Sequence, residues 1–349
     1  MKHRVAKVAT LLLGVLLALS MGQVALAQQG SYLSEYPVPG RPQSIAVEAP
    51  NRVWFTLPEQ NQIGRLVVTS PVSYVVTTYT VPTANSQPYE LKYAGGYIWF
   101  TERLGNKIGR LDVVSGNIAE YALPTSSAEP MGMDVLAGSV TNVWFAERAA
   151  NQLGRLVVTD TTTSALHEYP LPGTFPNAGL RDVAIYDVDN IWFTAPGVGQ
   201  IGLFRPSLYG GSLNPFVMRF TGGEPDAITK GSGQVAAWFT EPVSNRVGAY
   251  SPTTMSDFLW YGLPRESSGP YDVVYAVGSV WFTEELGQRV GRIVWPSSAV
   301  YEAGVGNGAL RGIAADSAGH VWFAEYDAQR IGEWRPPYLI TVYLPLVLK

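Results

Sequence analysis

Trp99-Phe100-Thr101-Glu102-Arg103-Leu104-Gly105-Asn106-Lys107-Ile108-Gly109-Arg110-Leu111 decides the fold, because the chain writes it more than once. A near copy, Trp144-Phe145-Ala146-Glu147-Arg148-Ala149-Ala150-Asn151-Gln152-Leu153-Gly154-Arg155-Leu156, begins 45 residues later. Looser copies start at Trp54, Trp192, Trp238, Trp281 and Trp322. In all seven a glycine stands ten residues after the tryptophan: Gly64, Gly109, Gly154, Gly202, Gly248, Gly291 and Gly332. Self-similarity at intervals of 41 to 48 residues marks a repeat architecture.

Each copy reads as four short strands. A first strand such as Ile45-Ala46-Val47-Glu48 precedes the tryptophan strand, a loop with Asn or Gln follows, and Ile-Gly-Arg-Leu opens the third. A fourth has the flavour of Glu120-Tyr121-Ala122-Leu123-Pro124. Four strands in about 45 residues is the size of a propeller blade, and the helical periodicity that solenoids need is absent. The seventh copy lacks its fourth strand, which Ser34-Glu35-Tyr36-Pro37-Val38-Pro39 supplies from the other end of the chain. Such closure removes both free sheet edges. Tyr338-Leu339-Ile340-Thr341-Val342-Tyr343 is a competing source of that strand. The expectation is an all-β, seven-bladed β-propeller of four-stranded antiparallel blades over residues 28-336, its ring closed by the N-terminal strand. The repeated Trp is assigned to the core between blades, and the Gly to a close approach that a side chain would block.

Composition agrees with short strands and frequent turns. Of 349 residues 46% are hydrophobic and only 15% charged, with 36 Gly and 25 Pro. Lys2, Arg4 and Lys7 precede an apolar run from Val8 to Leu19, and Ala25-Leu26-Ala27 follows. Residues 1-27 therefore read as a signal peptide, too short in its apolar part to span a bilayer. A secreted or cell-surface location is expected. Without that segment the formal charge becomes −7, and no basic cluster remains to favour nucleic acid or an anionic membrane. With no cysteine, disulfides and thiolate metal sites are excluded. Residues 337-349 form an apolar, proline-broken tail resembling short endings of exported bacterial proteins. Two readings stand for it, envelope association or packing on the ring.

The repeat W-F-[TA]-E-x-x-x-N-[KQR]-[ILV]-G-R-[LI], with a P-x-x-[IVLM] strand before it, resembles the streptogramin B lyases, also called virginiamycin B lyases. The resemblance spans the chain beyond the leader. It implies a seven-bladed propeller that opens a cyclic depsipeptide by elimination, with Mg2+ near the channel and a histidine removing a proton. At the position of the family's catalytic histidine this chain carries Arg311, and at the second histidine Tyr271. Ala309 stands where the family has an acidic residue, whereas Glu325 is retained. The other histidines beyond the leader, His167 and His320, fall on an outer strand and in a turn.

In the repeat register, the starts of the first strands place Gln43, Tyr89, Met131, Arg181, Asp226, Tyr271 and Arg311 around the channel. Three residues after the tryptophan stand Glu102, Glu147, Glu241, Glu284 and Glu325. If they converge, five carboxylates form an anionic ring for a divalent cation, with Glu284 and Glu325 as ligands. If they do not, each binds its own turn or a nearby arginine. Arg311 stays protonated and is no general base, and Tyr271 needs a strong downward shift to act as one. Catalytic candidates are Glu325, Arg311 and Tyr271. The favoured function is a monomeric ligand-binding or interaction module for a small molecule, cell-wall component or protein. The alternative is a magnesium-dependent carbon-oxygen lyase or metal-assisted lactonase.

Overall fold

The computed structural model describes residues 32-70, 72-159, 164-252, 257-296, 299-305 and 308-335. The expected signal peptide at 1-27, the tail at 337-349 and the competing strand at 338-343 lie outside the described residues. Seven four-stranded antiparallel sheets form the seven blades. Blades 1 to 6 occupy 45-80, 88-122, 130-170, 183-220, 228-262 and 270-304, and blade 7 takes 310-335. Its outer strand is β1, Tyr32–Pro37, paired antiparallel with Arg330–Arg335. Tyr36 anchors this closure by stacking 6.1 Å from Trp322 and donating from its hydroxyl to Glu333 Oε2 at 3.0 Å.

The repeated residues explain the blade. All seven repeat tryptophans are at most 5% exposed, wedged between neighbouring sheets. The phenylalanine after each points the other way and lies across the facing glycine of the third strand. A Cβ at Gly109 would stand 2.1 Å from the Phe100 ring, and the same conflict recurs at the other six glycines. Any larger residue would drive the ring out of a close-packed interior.

Two smaller polar positions of the repeat hold blades and loops together. Asn61, Asn106, Asn151 and Asn245 adopt left-handed φ of 50 to 55°, which asparagine tolerates. Their amides pin the loop leading to the next blade: Asn106 donates to Thr125 O at 2.9 Å and accepts from Ala128 N at 2.7 Å. The threonine two residues after the tryptophan crosses the junction. Thr101 Oγ1 accepts from Glu90 N of its own blade at 3.1 Å and donates to Met131 O of the next at 2.7 Å. Thr56, Thr194, Thr240 and Thr283 make the same bridge.

Candidate functional site

First strands line the axis, so the side chains at their starts meet at one mouth of the channel. Gln43 Nε2 donates to Tyr271 Oη at 2.6 Å, and Tyr89 Oη lies 2.9 Å from the same hydroxyl. Arg181 Nε binds Asp226 Oδ1 at 2.6 Å, and its Nη2 reaches Tyr271 Oη at 3.3 Å. Arg311 donates to Gln43 Oε1 and, at 3.1 Å, to Glu285 Oε1. Both guanidiniums also lie against rings, Arg181 at 5.2 Å from Tyr89 and Arg311 at 3.5 Å from Tyr326. Six sequence-expected residues thus form one hydrogen-bonded net across the channel: Gln43, Tyr89, Arg181, Asp226, Tyr271 and Arg311.

The electrostatics follow from enclosure. Burial pushes the Tyr271 hydroxyl above its ordinary value even though Arg181 opposes the shift, and burial with Tyr271 beside it pushes Tyr89 higher still. Tyr271 therefore stays protonated at neutral pH, the opposite of the shift a base requires. Desolvation works against the Arg181 charge, and the Asp226 carboxylate paired with it at 2.6 Å keeps the guanidinium charged.

Below the net, a space of about 30 Å³ is bounded by Glu90, Asp182, Asp272 and the mouth residues, enough for about one water. The carboxylates here join blades. Asp182 accepts from Ile228 N at 2.9 Å and Asp272 from Ile313 N at 2.9 Å, each across a junction. Lys92 donates to Glu90 at 2.8 Å, and the surrounding carboxylates keep its ammonium charged against desolvation. Burial, then Glu90, raises Asp272 to about 7.

Two expectations need correction. Glu102, Glu147, Glu241, Glu284 and Glu325 do not bound the axial space. They lie on second strands, one layer outside the channel, and each is fully buried in its own blade. Glu147 accepts from Gln152 at 2.6 Å and Glu241 from Arg246 at 2.6 Å, while Glu325 faces Arg330 in register. Burial raises Glu102, Glu147 and Glu284 to about 7. Met131, expected at the mouth, is 0% exposed within its blade.

This donor set does not fit the divalent cation that the resemblance implies. Glu284 and Glu325 belong to separate blades, and among the described residues no three His, Asp or Glu side chains come together to hold a metal. At the mouth, the carboxylates of Asp226 and Glu285 are already paired with Arg181 and Arg311. His167 lies exposed on an outer strand. His320 sits between Asp316 and Glu333, at 3.1 and 3.3 Å, in the turn at the far end of blade 7.

Sequence reasoning missed Glu285 and Tyr326, which hold Arg311. Both stand four residues after the tryptophan, where the copies carry Pro58, Arg103, Arg148, Pro196, Pro242, Glu285 and Tyr326. That sudden variety inside a regular motif was the available signal. Arg103 uses the same position to approach Tyr89 at 5.9 Å.

The family model described as the virginiamycin B lyase family matches residues 16–278. The chain belongs to the virginiamycin B lyase family. A selenomethionine-substituted virginiamycin B lyase from Staphylococcus aureus aligns at 25% identity and TM-score 0.75, covering 87% of this chain and 99% of the other. A streptogramin B lyase structure aligns at 24% identity and TM-score 0.76, covering 89% and 99%. A catalytically inactive histidine-to-alanine variant of the S. aureus virginiamycin B lyase, with quinupristin, aligns at 24% and 0.75, covering 87% and 99%. Among curated protein sequences none matches significantly. The three C-terminal strands of blade 7 in this virginiamycin B lyase family member, residues 310-335 with Arg311 and Glu325, lie beyond the stretch matched by the family model.

Proposed function

We propose that this chain is an exported ligand-binding or interaction propeller that presents the mouth net to a small molecule, a cell-wall component or a protein. The observation that carries the reading is the net itself. Each side chain of the net already has a partner, the space below holds about one water, and the Tyr271 hydroxyl stays protonated at neutral pH. A ligand would therefore rest on the mouth, where Arg181, Arg311 and the Tyr89, Tyr271 and Tyr326 rings offer cationic and aromatic surface. The basic start and apolar run of residues 1-27 support export, and the family's name supports the competing carbon-oxygen lyase reading.

Lyase chemistry needs a proton acceptor. With Arg311 and Tyr271 at the two histidine positions, the acceptor would have to be a carboxylate: Asp226 and Glu285 are engaged by arginine, which leaves Asp272 below the net, bonded to backbone amides. Mass spectrometry of quinupristin incubated with the protein and Mg2+ tests the choice. The expected result is intact depsipeptide over hours. Ring opening that is lost in Glu325→Gln or Tyr271→Phe would establish the lyase reading instead.

A further inference from the structure

On the face opposite the mouth, the space beside each repeat tryptophan is normally filled from the third strand. Arg65, Arg110, Arg155 and Arg292 face Trp54, Trp99, Trp144 and Trp281 in register. Their guanidiniums lie 5.4, 5.6, 5.3 and 4.8 Å from the indole rings. In blade 5, Ala249 takes that place and Trp295 packs edge-on against Trp238 at 5.8 Å. In blade 7, Glu333 takes that place, and Tyr36 of the outer strand stacks on Trp322. Blade 4 carries Leu203 opposite Trp192, so no cation covers the indole.

The consequence is a groove of about 510 Å³ between blades 4 and 5, against about 160 Å³ beside Trp99, where Arg110 is present. Its walls are Trp192, Leu203 and Tyr250, with Tyr186 exposed at the rim and Arg205 and Arg219 on its sides. Arg219 donates to Tyr250 Oη at 3.2 Å, and among the described residues neither guanidinium has a carboxylate partner. The carboxylates on the adjoining turn are engaged elsewhere, Asp187 with Asn190 and Asp189 with Ser207. A concave site of a few hundred Å³ with aromatic walls and few polar groups is the usual form of a small-molecule site. Two arginines without a carboxylate in contact set its charge preference, although Arg205 also acts on Asp189 at longer range, and their planar forks match carboxylate or sulfonate oxygens.

We propose that this groove binds a small aromatic organic anion, its ring resting on Leu203 and on the touching Trp192 and Tyr250 rings, 5.1 Å apart, and its acid group held by Arg205 or Arg219 at the sides. The site is separate from the channel mouth and does not depend on the function assigned there.

Fluorescence titration with 8-anilinonaphthalene-1-sulfonate, beside the uncharged N-phenyl-1-naphthylamine, tests it. Expected are one saturable site for the anion and weaker binding of the neutral probe. Arg205→Gln/Arg219→Gln should weaken the anion about tenfold, and Leu203→Arg, which restores the arginine of the other blades, should abolish binding. Thermal melting identifies a Leu203→Arg protein that fails to fold, and the double glutamine variant then decides alone. Equal affinity for both probes, no saturable site, or unchanged binding in the double variant overturns the proposal.

Discussion

At five of the seven blade junctions a threonine hydroxyl stands between neighbouring sheets, whereas at two the sheets touch directly. Blades 3 and 7 carry Ala146 and Ala324 in place of that threonine, and Gly132 and Gly312 at the second residue of the axial row. There the glycine N–H itself donates to the next blade, Gly132 to Arg181 O at 2.9 Å and Gly312 to Gln43 O at 3.0 Å. Loss of the hydroxyl and loss of the Cβ are thus one device: each removes atoms that would hold the sheets apart. The directly joined strands carry Arg181 and Gln43, two members of the mouth net. The motif's alternation between Thr and Ala is therefore paired with a residue outside the motif, and the pair chooses the spacing.

The most severe way to break the comparison is Gly312→Ala. A Cβ there would stand 2.7 Å from Ser44 Cα and 2.9 Å from Ile45 N, backbone atoms that have no rotamer to change. We expect a loss of about 3 kcal/mol or more in denaturant unfolding, at the top of the overpacking range. The methyl group also falls beside Gln43, so the mouth net should loosen. An unchanged midpoint would show that the junction has slack the geometry denies.

A second experiment asks whether junction type matters to the buried glutamates. Glu147 belongs to a directly joined blade and Glu284 to a threonine-bridged one, yet burial raises both to about 7. In the unfolded chain these carboxyls titrate near 4.5. The folded state therefore binds more protons between those values, and stability falls as pH rises from about 4.5 to 7. Each carboxyl costs about 2–3 kcal/mol once ionised in the fold. Glu147→Gln and Glu284→Gln should each raise the melting temperature at pH 8 and leave it nearly unchanged at pH 4.5. A difference between the two variants would tie the carboxyl to its junction, and a flat pH profile in the parent would contradict burial as the cause.

The blade was legible because its packing is periodic. Trp, Phe and Gly recur at fixed offsets since the same ring must cross the same glycine seven times, and even the closing strand could be read from the copy it completes. The mouth was half legible. Counting along the repeat placed Gln43, Tyr89, Arg181, Asp226, Tyr271 and Arg311 together, but not their bonds. Those contacts span up to 268 residues and, apart from the Tyr89–Tyr271 hydroxyl pair, join unlike side chains, so no repeated residue announces them. Glu102 and its four counterparts misled for a physical reason: repetition signals a position buried within each blade, and second strands never reach the axis. Their pattern looked like a ring in sequence and is five separate burials in space.

The smallest effect gives the finest test. Thr283 accepts from Asp272 N at 3.2 Å and donates to Arg311 O at 2.5 Å, so its hydroxyl fixes the backbone that presents Arg311 to Gln43 and Glu285. Thr283→Val keeps the shape and removes both bonds, at about 1–2 kcal/mol by the cost of unmade hydrogen bonds. Thr56→Val should cost a similar amount at a junction whose recipient, Tyr89, contributes one hydroxyl contact to the net. Unfolding measured on both variants then isolates the bridge, and ligand binding at the mouth isolates its aim. If the threonine only staples blades, the two variants will match in both readouts. We expect them to match in stability alone, with Thr283→Val the more damaging to binding, because a guanidinium held by two partners and a ring depends more on where its backbone starts.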